Sequence, residues 1–204
     1  MEIKSILFNT EMVRAILDGR KTCTRRILKG GIPFDEKAEY WNVLKKGEWS
    51  GPICAEDFAK QGSPYKPGDI LYVRETFIQV AAHTFWYKAD DNSWISEGLH
   101  WRPSIHMPKE AARIWLKVTD VRIERLRDIT EDGAKAEGAN WKNGKNVGWE
   151  EKMKRTATER FAEIWNSTIK KSDLDRYGWA ANPYVFVIEF SKIDKPEEAE
   201  HERK

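Results

Sequence analysis

The spacing of apolar residues at the start of the chain predicts a strand followed by a helix. Residues 3–8 are an apolar-rich run with the length of a short strand. Asn9 or Thr10 can cap a helix behind it, and Gly19 stands where that helix would end. The face of this helix that we expect to be buried carries Met12, Val13, Ile16 and Leu17.

The next segment has a weaker pattern. From residue 29 to residue 66 the apolar residues show little periodicity, and Gly, Pro and charged residues recur, which predicts a long loop that acts as a lid, a binding loop or an insertion. A turn at residues 65–69 then leads into residues 70–77, whose β-branched and aromatic content predicts a strand. Residues 84–89 are expected to pair with that strand as a hairpin.

The second half of the chain holds clearer patterns. Residues 113–126 alternate between apolar and polar, with a change of phase near Thr119 that indicates a β-bulge or a turn. Thr130 can cap a helix over residues 131–137, and Gly138 would end it.

Two further elements complete the pattern. A helix is expected around residues 157–167. Its inward face would carry Phe161, Ile164 and Trp165. Residues 184–191 are almost continuously apolar, which is typical of a central strand. Helices and strands without regular alternation predict an α+β fold, and several short strands around one core suggest a small barrel. We expect one domain over residues 1–194 and a charged, flexible tail over 195–204.

The composition argues against a membrane protein. Of 204 residues, 40% are hydrophobic and 33% are charged, and the mean hydropathy is -0.70. No apolar run approaches the roughly 20 residues that span a bilayer, and the first residues lack the pattern of a signal peptide. A cytoplasmic protein with no membrane partner is therefore expected. Cys23 and Cys54 are too few for a disulfide framework, so we expect both to be reduced.

The charge balance and the tryptophan content limit the ligand classes. Lys and Arg number 35 and Asp and Glu number 33, which gives a net charge of +2. This balance does not favour non-specific binding to a long nucleic acid, but it is compatible with a local pocket for one nucleotide. The ten tryptophans fill cores, and an indole face also stacks on bases.

Four segments, in order along the chain, resemble the ASCH family. They are residues 17–26, 66–73, 129–138 and 184–190. The first is the most specific, because a helix end is followed by Gly-Arg-Lys-Thr and by a second threonine, Thr24, three residues after Lys21. Residues 101–108, Trp-Arg-Pro-Ser-Ile-His-Met-Pro, are similar to the longer, prophage-associated branch of the family.

This resemblance implies a fold, a site and an activity. The fold would be a PUA-like small mixed β-barrel flanked by helices, with a cleft beside the barrel and insertions near residues 29–64 and 78–112. Small bacterial members are cofactor-free amidohydrolases that remove the acyl group from N4-acetylcytidine and related N4-acylated cytosines. Their catalytic residues match Lys21, Thr24 and Glu137, the last through a shared Thr-Glu-x-x-Ala-x-x-Glu pattern. Other members are associated with RNA binding or RNA cleavage.

The chemistry of amide hydrolysis fits these three residues. Thr24 supplies a hydroxyl nucleophile, which is inert until a base removes its proton. Lys21 would be this base where burial, or the arginines among residues 20–26, favour its neutral form. A carboxylate beside a lysine holds the lysine proton in place, so we assign Glu137 to orientation or to proton delivery to the leaving amine.

The candidates for substrate binding have more than one interpretation. Arg20 and Arg26 are candidate phosphate contacts, although basic runs are most often solvated. Glu75 can hydrogen-bond an exocyclic amine or pair with its neighbour Arg74. Three residues of the 101–108 segment would either stack on a base in the cleft or pack as a structural loop. They are Trp101, Arg102 and His106.

Several alternatives stay open at this point. Cys23 is either a second candidate nucleophile or a small core residue, and the core is favoured because neighbours in a strand point to opposite sides. The histidines lack metal-ligand spacing, so no metal is expected. The expected ligand is a modified nucleoside, with RNA as the alternative. A non-catalytic RNA-binding module, or a ribonuclease that uses Lys21 and His106, would use the same cleft.

Overall fold

The computed structural model describes residues 2–28, 34–35, 40–45, 48–90, 100–139 and 155–197. The helices are α1 (Thr10–Leu17), α2 (Ala55–Gly62), α3 (Glu131–Ala136), α4 (Ala157–Thr168) and α5 (Leu174–Tyr177). The strands are β1 (Ile3–Leu7), β2 (Cys23–Ile27), β3 (Phe34–Asp35), β4 (Tyr40–Lys45), β5 (Glu48–Ile53), β6 (Ile70–Arg74), β7 (Phe77–Ala81), β8 (Thr84–Tyr87), β9 (Trp115–Arg125) and β10 (Tyr184–Ile193).

A five-stranded mixed sheet in the order β1-β6-β9-β10-β2 is the main sheet of the molecule. β1 and β6 are parallel, whereas the β6–β9, β9–β10 and β10–β2 pairs are antiparallel. Two smaller sheets are formed by β3-β4-β5 and by β7-β8. The combination of separate helices with mixed sheets confirms the α+β prediction.

The predicted barrel is not closed by strand pairing. Within the described residues, β1 and β2 are the two edges of the main sheet, and no ladder of backbone hydrogen bonds joins them. One side chain does span the two edges, since Nη2 of Arg26 in β2 donates to the carbonyl of Leu7 in β1 at 2.9 Å. The edge strands therefore approach each other and are linked by an arginine instead of by backbone pairing.

The central position of β10 explains its continuous apolar sequence. It lies between β9 and β2. Phe186, Ile188 and Phe190 pack into the core cluster that contains α1, and Val185 and Val187 pack into the cluster that contains α4. Burying one such side chain stabilises the fold by about 1.5–3 kcal/mol. Because both faces are covered from Val185 to Ile188, this part of the strand has no polar face, and the prediction of a central strand is confirmed.

The change of phase in β9 is a β-bulge, as the sequence predicts. Glu189 of β10 pairs with Asp120, and the next residue, Phe190, pairs with Val118. Thr119 is therefore the extra residue. It reverses the alternation of the strand, so that apolar positions on both sides of the bulge face the core.

The predicted helix ends are also confirmed. Oδ1 of Asn9 and Oγ1 of Thr130 each accept a hydrogen bond from a backbone N–H three residues later, at 2.9 and 3.0 Å. Gly19 follows α1 with a φ of +72°, which glycine adopts at little cost. Leu17 differs from its prediction, because at the last turn of α1 it is 37% exposed.

The long loop predicted between residues 29 and 66 is wrong in part. The described residues of this segment form β3, β4, β5 and α2, and the others lie outside the described residues. α2 buries Phe58 and Ala59 beside the charged Glu56, Asp57 and Lys60. Two buried positions in a charged sequence make too narrow an apolar stripe to indicate a helix.

The single strand predicted over residues 70–77 is two strands. β6 ends at Arg74, and Phe77 begins β7 by exchanging backbone hydrogen bonds with Arg102. β8 pairs with β7 and not with β6, because β1 and β9 already occupy the two edges of β6. The change of partner takes the chain out of the main sheet after residue 74.

The structure also bears on the membrane prediction and on the predicted C-terminal tail. No helix in the described ranges is long and apolar enough to cross a membrane. Residues 195–197 are the described part of the predicted tail, and residues 198–204 lie outside the described residues.

Candidate functional site

A cleft of about 360 Å³ is lined by residues of β1, α1, β2 and α4, together with residues 103–104. Lys21, Thr24 and Glu137 are among its lining residues. Aromatic side chains line it as well, and they are Phe8, Phe161 and Trp165. Pockets of this size, mostly apolar with a few polar groups, are typical binding sites for one small molecule.

The turn after α1 places Lys21 against the end of α3. Lys21 and Glu137 form an isolated antiparallel bridge. The backbone N–H of Thr22 donates to the carbonyl of Ala136 at 2.8 Å, and the N–H of Lys21 donates to the carbonyl of Ala15 at 2.9 Å. These backbone contacts hold two residues that are 116 positions apart in register.

Gly138 allows this close approach. Its φ is +85°, and a Cβ at this position would lie 2.7 Å from Cβ of Ala15 and 3.3 Å from Cβ of Lys21. Contacts below 3.0 Å do not occur between real Cβ atoms. The end of α3 can therefore pack on α1 and on Lys21 because residue 138 has no side chain.

The Lys21 ammonium is buried and has three acceptors. Nζ donates to Oε2 of Glu137 at 2.6 Å, to the carbonyl of Glu137 at 3.0 Å and to the carbonyl of Cys23 at 2.7 Å. The Lys21 side chain is 1% exposed and that of Glu137 is 6% exposed. Three acceptors match the three N–H groups of an ammonium, so the arrangement is that of a fully hydrogen-bonded, buried ion pair.

Further charges extend this pair toward the surface. Oε1 of Glu137 accepts from Nη1 of Arg25 at 3.4 Å, and Nη2 of Arg25 donates to Glu124 at 2.9 Å. Glu124 also accepts from Arg122 at 2.6 Å, and Arg122 pairs with Glu189. Positive and negative groups alternate along the whole row, which fixes the position of the Glu137 carboxylate from two sides.

Thr24 and Cys23 occupy neighbouring positions of β2. Thr24 is 4% exposed and lies opposite Ile188 in the sheet, and its side chain has no hydrogen bond within the described residues. Burial, together with the nearby Glu137, raises the pKa of the Cys23 thiol to about 12. Cys23 is buried and is not among the residues that line the cleft, whereas Thr24 lines it, so Cys23 is a core residue.

The two arginines predicted to bind phosphate have different positions. Arg26 lines the cleft, half-buried, with its guanidinium 5.3 Å from the ring centre of Phe8. Burial lowers the pKa of Arg26, although an arginine remains charged in proteins. Arg20 lies outside the cleft lining, where it pairs with Asp18 at 2.8 Å and donates to the carbonyl of Gly138 at 3.3 Å. Arg20 therefore holds the turn, and Arg26 faces the cleft.

Glu75 lies in the core and not in the cleft. It is 1% exposed, and its two oxygens accept from Nε and Nη2 of Arg113 at 2.9 and 3.1 Å. Burial raises the pKa of Glu75 against the opposing effect of Arg113. Arg74, the alternative partner that the sequence offers, donates instead to the carbonyls of Met107, at 2.9 Å, and Ile105. The position of Glu75 thus indicates a structural ion pair.

The 101–108 segment reaches the cleft through residues other than those predicted. Pro103 and Ser104 line the cleft. Trp101 is half-buried elsewhere, Arg102 is exposed with its guanidinium 5.5 Å from the ring centre of Phe77, and His106 is exposed. The structure therefore brings none of these three to the cleft lining.

Sequence reasoning did not assign Phe8, Phe161 and Trp165 to the site. Phe161 and Trp165 were expected on the inward face of a helix, and they do lie in a core cluster. That cluster borders the cleft, and no local signal in the sequence distinguishes a core aromatic from one that also lines a cavity. Phe8 directly follows β1, and its place beside Arg26 depends on the long-range approach of two edge strands.

A metal centre was not expected, and in the ranges that the structure describes no group of three or more His, Cys, Asp or Glu residues is arranged to hold a metal ion. The cleft residues are a lysine, arginines, a glutamate and hydroxyl-bearing side chains. What this set can do chemically is transfer protons, supply an alcohol nucleophile and stabilise negative charge.

Comparison with known proteins adds little to this picture. No family model matches the chain, and no curated protein matches it significantly. The crystal structure of the hypothetical protein PH0355 is similar over 95% of this chain and 100% of that chain, with a TM-score of 0.39 and 13% sequence identity.

Proposed function

We propose that the protein is a metal-independent amidohydrolase that removes the acyl group from an N4-acylated cytosine nucleoside, in an ASCH-type, PUA-like fold. The observation that carries this proposal is the meeting of Lys21, Thr24 and Glu137 in one cleft, with Nζ of Lys21 2.6 Å from Oε2 of Glu137. These are the residues that the ASCH resemblance selects, and they come from separate parts of the chain.

The placement of the four resembling segments supports the family part of the proposal. Residues 17–26 and 129–138 meet through the Lys21–Glu137 bridge. Residues 184–190 pair with β2, and residues 66–73 include β6 of the same sheet. The link from Arg26 to the Leu7 carbonyl also draws the two sheet edges together, as a barrel-like curvature requires.

The first chemical step is attack by Thr24. Its Oγ1 forms a bond to the acyl carbonyl carbon, and the carbonyl oxygen becomes an oxyanion. The hydroxyl proton goes to neutral Lys21. That neutral form arises when the Lys21 ammonium passes one proton to Glu137 along their 2.6 Å hydrogen bond.

The second step releases the cytosine. The oxyanion reforms the carbonyl, the C–N bond breaks, and the exocyclic nitrogen takes the proton that Glu137 holds. The acyl group is then an ester on Thr24. Water hydrolyses this ester by the same route, which returns the threonine hydroxyl and releases the carboxylic acid. Lys21 is the base and Glu137 is the acid in this sequence.

Arg25 offers a donor to a ligand oxygen in the cleft. It lines the cleft from the side of β2 opposite to Thr24, and its side chain is 2% exposed. Its Nη1 and Nη2 donate to Glu137 and Glu124, whereas its buried Nε has no acceptor among the described residues. A buried donor without an acceptor costs stability, and a ligand oxygen would satisfy it.

The experiment is deacylation of N4-acetylcytidine by the purified protein, followed by the ultraviolet shift to cytidine. We expect turnover by the wild type and a loss of at least about 10²-fold in Lys21→Ala and in Thr24→Ala. Thr22→Ala is the matched control, because Thr22 is exposed two residues from Thr24 and outside the cleft lining. It should retain wild-type activity.

Circular dichroism must show that the inactive variants are folded. Turnover that survives both substitutions would contradict the assigned roles. Absence of turnover with several N4-acylated cytosines would contradict the activity itself. In that case, binding of labelled oligonucleotides would test the RNA-binding alternative. The exposed position of His106, outside the cleft lining, does not favour the ribonuclease alternative.

A further inference from the structure

The cationic side chains of the cleft differ in whether a carboxylate pairs with them. Lys21 and Arg25 both contact the Glu137 carboxylate, and Arg25 also pairs with Glu124. Arg26 has no carboxylate within ion-pair distance in the part of the chain that the structure describes. A half-buried guanidinium that faces a cavity and has no ion-pair partner favours an anionic ligand there.

Arg26 is also held in a fixed position. Its Nη2 donates to the Leu7 carbonyl at 2.9 Å, and its guanidinium lies 5.3 Å from the ring centre of Phe8. Within the described residues, Nε and Nη1 have no acceptor. Arginine presents its N–H groups as a planar fork that matches phosphate oxygens, so the side chain is arranged before a ligand arrives.

Arg26 and Thr24 lie on the same side of β2, because they are two residues apart in a strand. Their Cα atoms are therefore about 7 Å apart by strand geometry. A ligand whose acyl amide is at Thr24 would place its opposite end at Arg26. In a nucleotide, the phosphate is at the opposite end from the exocyclic nitrogen of the base.

We propose that the natural ligand of the cleft is a nucleoside monophosphate whose phosphate binds Arg26, and not an uncharged nucleoside. This inference rests on the proposed function for the base end of the ligand, and it deepens that function by naming the substrate class. A mononucleotide is favoured over an RNA strand because the cleft is about 360 Å³ in volume and the net charge of the chain is +2.

Calorimetric titration of the full chain with cytidine 5′-monophosphate and with cytidine tests the proposal without any need for turnover. We expect the monophosphate to bind about 10- to 100-fold more tightly, as is typical of charge-assisted hydrogen bonds. Arg26→Gln should abolish the difference while leaving cytidine binding in place, and Arg26→Lys should keep part of it. Arg127→Gln removes the same charge from an exposed position outside the cleft lining. This variant should keep the full difference in affinity between the monophosphate and cytidine.

The possible results separate this inference from the proposed function. Equal affinity for the two ligands, or no binding of the monophosphate, would overturn the inference even if N4-acetylcytidine is deacylated. A preference for the monophosphate that depends on Arg26, without deacylation of any N4-acylated cytosine, would sink the proposed function and leave the inference standing. Much tighter binding of a cytidine oligonucleotide than of the monophosphate would replace the mononucleotide with RNA.

Discussion

Two lysine–carboxylate pairs in this protein have nearly the same length and opposite organisation. Nζ of Lys21 is 2.6 Å from Glu137, and Nζ of Lys4 is 2.7 Å from Asp69. In the first pair the lysine has three acceptors and is 1% exposed. In the second pair it is the carboxylate that accepts three hydrogen bonds, and the lysine side chain is 25% exposed.

The difference follows from what each pair connects. Asp69 accepts from Lys4, from the backbone N–H of Lys66 and from that of Glu2, at 2.7, 3.0 and 3.2 Å. These contacts fasten β1 to the turn that begins β6. The Lys21–Glu137 pair borders a cleft with Thr24 beside it. The distance within an ion pair therefore does not reveal its role, whereas its remaining partners and its access to a cavity do.

The largest expected effect is a loss of activity in Glu137→Gln. The amide keeps the size of the side chain but cannot receive the lysine proton or deliver it, so kcat/KM should fall by about 10²- to 10⁴-fold. The measurement is deacylation of N4-acetylcytidine. Glu56→Gln, which changes an exposed glutamate paired with Lys60, should have no effect. Full activity in Glu137→Gln would mean that this carboxylate only holds the fold.

Asp69→Asn should act on stability and not on activity. Loss of the carboxylate weakens a charge-assisted hydrogen bond and leaves backbone donors poorly matched, which costs about 1–3 kcal/mol in the free energy of unfolding. Urea denaturation at neutral pH measures this change. The kcat/KM of the folded variant should equal that of the wild type, and a large loss of activity with unchanged stability would reverse the two roles.

The pH dependence of that stability difference sharpens the assignment. Burial by itself raises the pKa of Asp69, but the hydrogen bonds from Lys4, Lys66 and Glu2 outweigh it and lower the pKa below the ordinary value of 3.8. The folded protein then binds fewer protons than the unfolded chain, so this contribution is present above pH 3.8 and is lost as the pH falls through the lowered pKa. Denaturation of both proteins at pH 7 and in acid should show the difference shrink. A difference that is constant with pH would argue against an ionised Asp69.

The smallest expected effect is a difference in reactivity between the two cysteines, which reports whether solvent reaches the interior beside Lys21. Cys23, next to that lysine, is buried and has a pKa raised to about 12 by burial, whereas Cys54 is exposed. Iodoacetamide at pH 8 should therefore label Cys54 and leave Cys23 unmodified in the folded protein, as peptide mapping would show. Equal labelling of both cysteines would mean that the interior beside Lys21 is open to solvent.

The sequence predicts the parts of this structure that depend on local patterns. The apolar run of β10, the bulge at Thr119 and the caps at Asn9 and Thr130 all follow from side-chain periodicity or local hydrogen bonding. The segment from residue 29 to residue 66 does not, because α2 buries few residues among many charges. Short elements of this kind are stabilised by contacts that no local window contains.

The site was predictable to a different extent. Lys21, Thr24 and Glu137 came from a family resemblance, and the structure places them in one cleft. The pairing of Glu75 with Arg113 and that of Arg25 with Glu124 join residues 38 and 99 positions apart. Spacing along the chain cannot reveal such contacts. Trp101, Arg102 and His106 lie outside the cleft lining, and the sequence left their place open for the same reason, since packing decides which loop side chains turn toward a cavity.

Locating the acyl group during turnover tests whether Thr24 is the nucleophile. The protein is mixed with N4-acetylcytidine, quenched in acid within the first turnovers, digested and mapped by mass spectrometry. Our account predicts an acetyl ester on Thr24 that is absent from Thr24→Ala and present in Thr22→Ala. Acetyl on Cys23 or Lys21, or steady turnover with an unmodified Thr24 at every quench time, would contradict it.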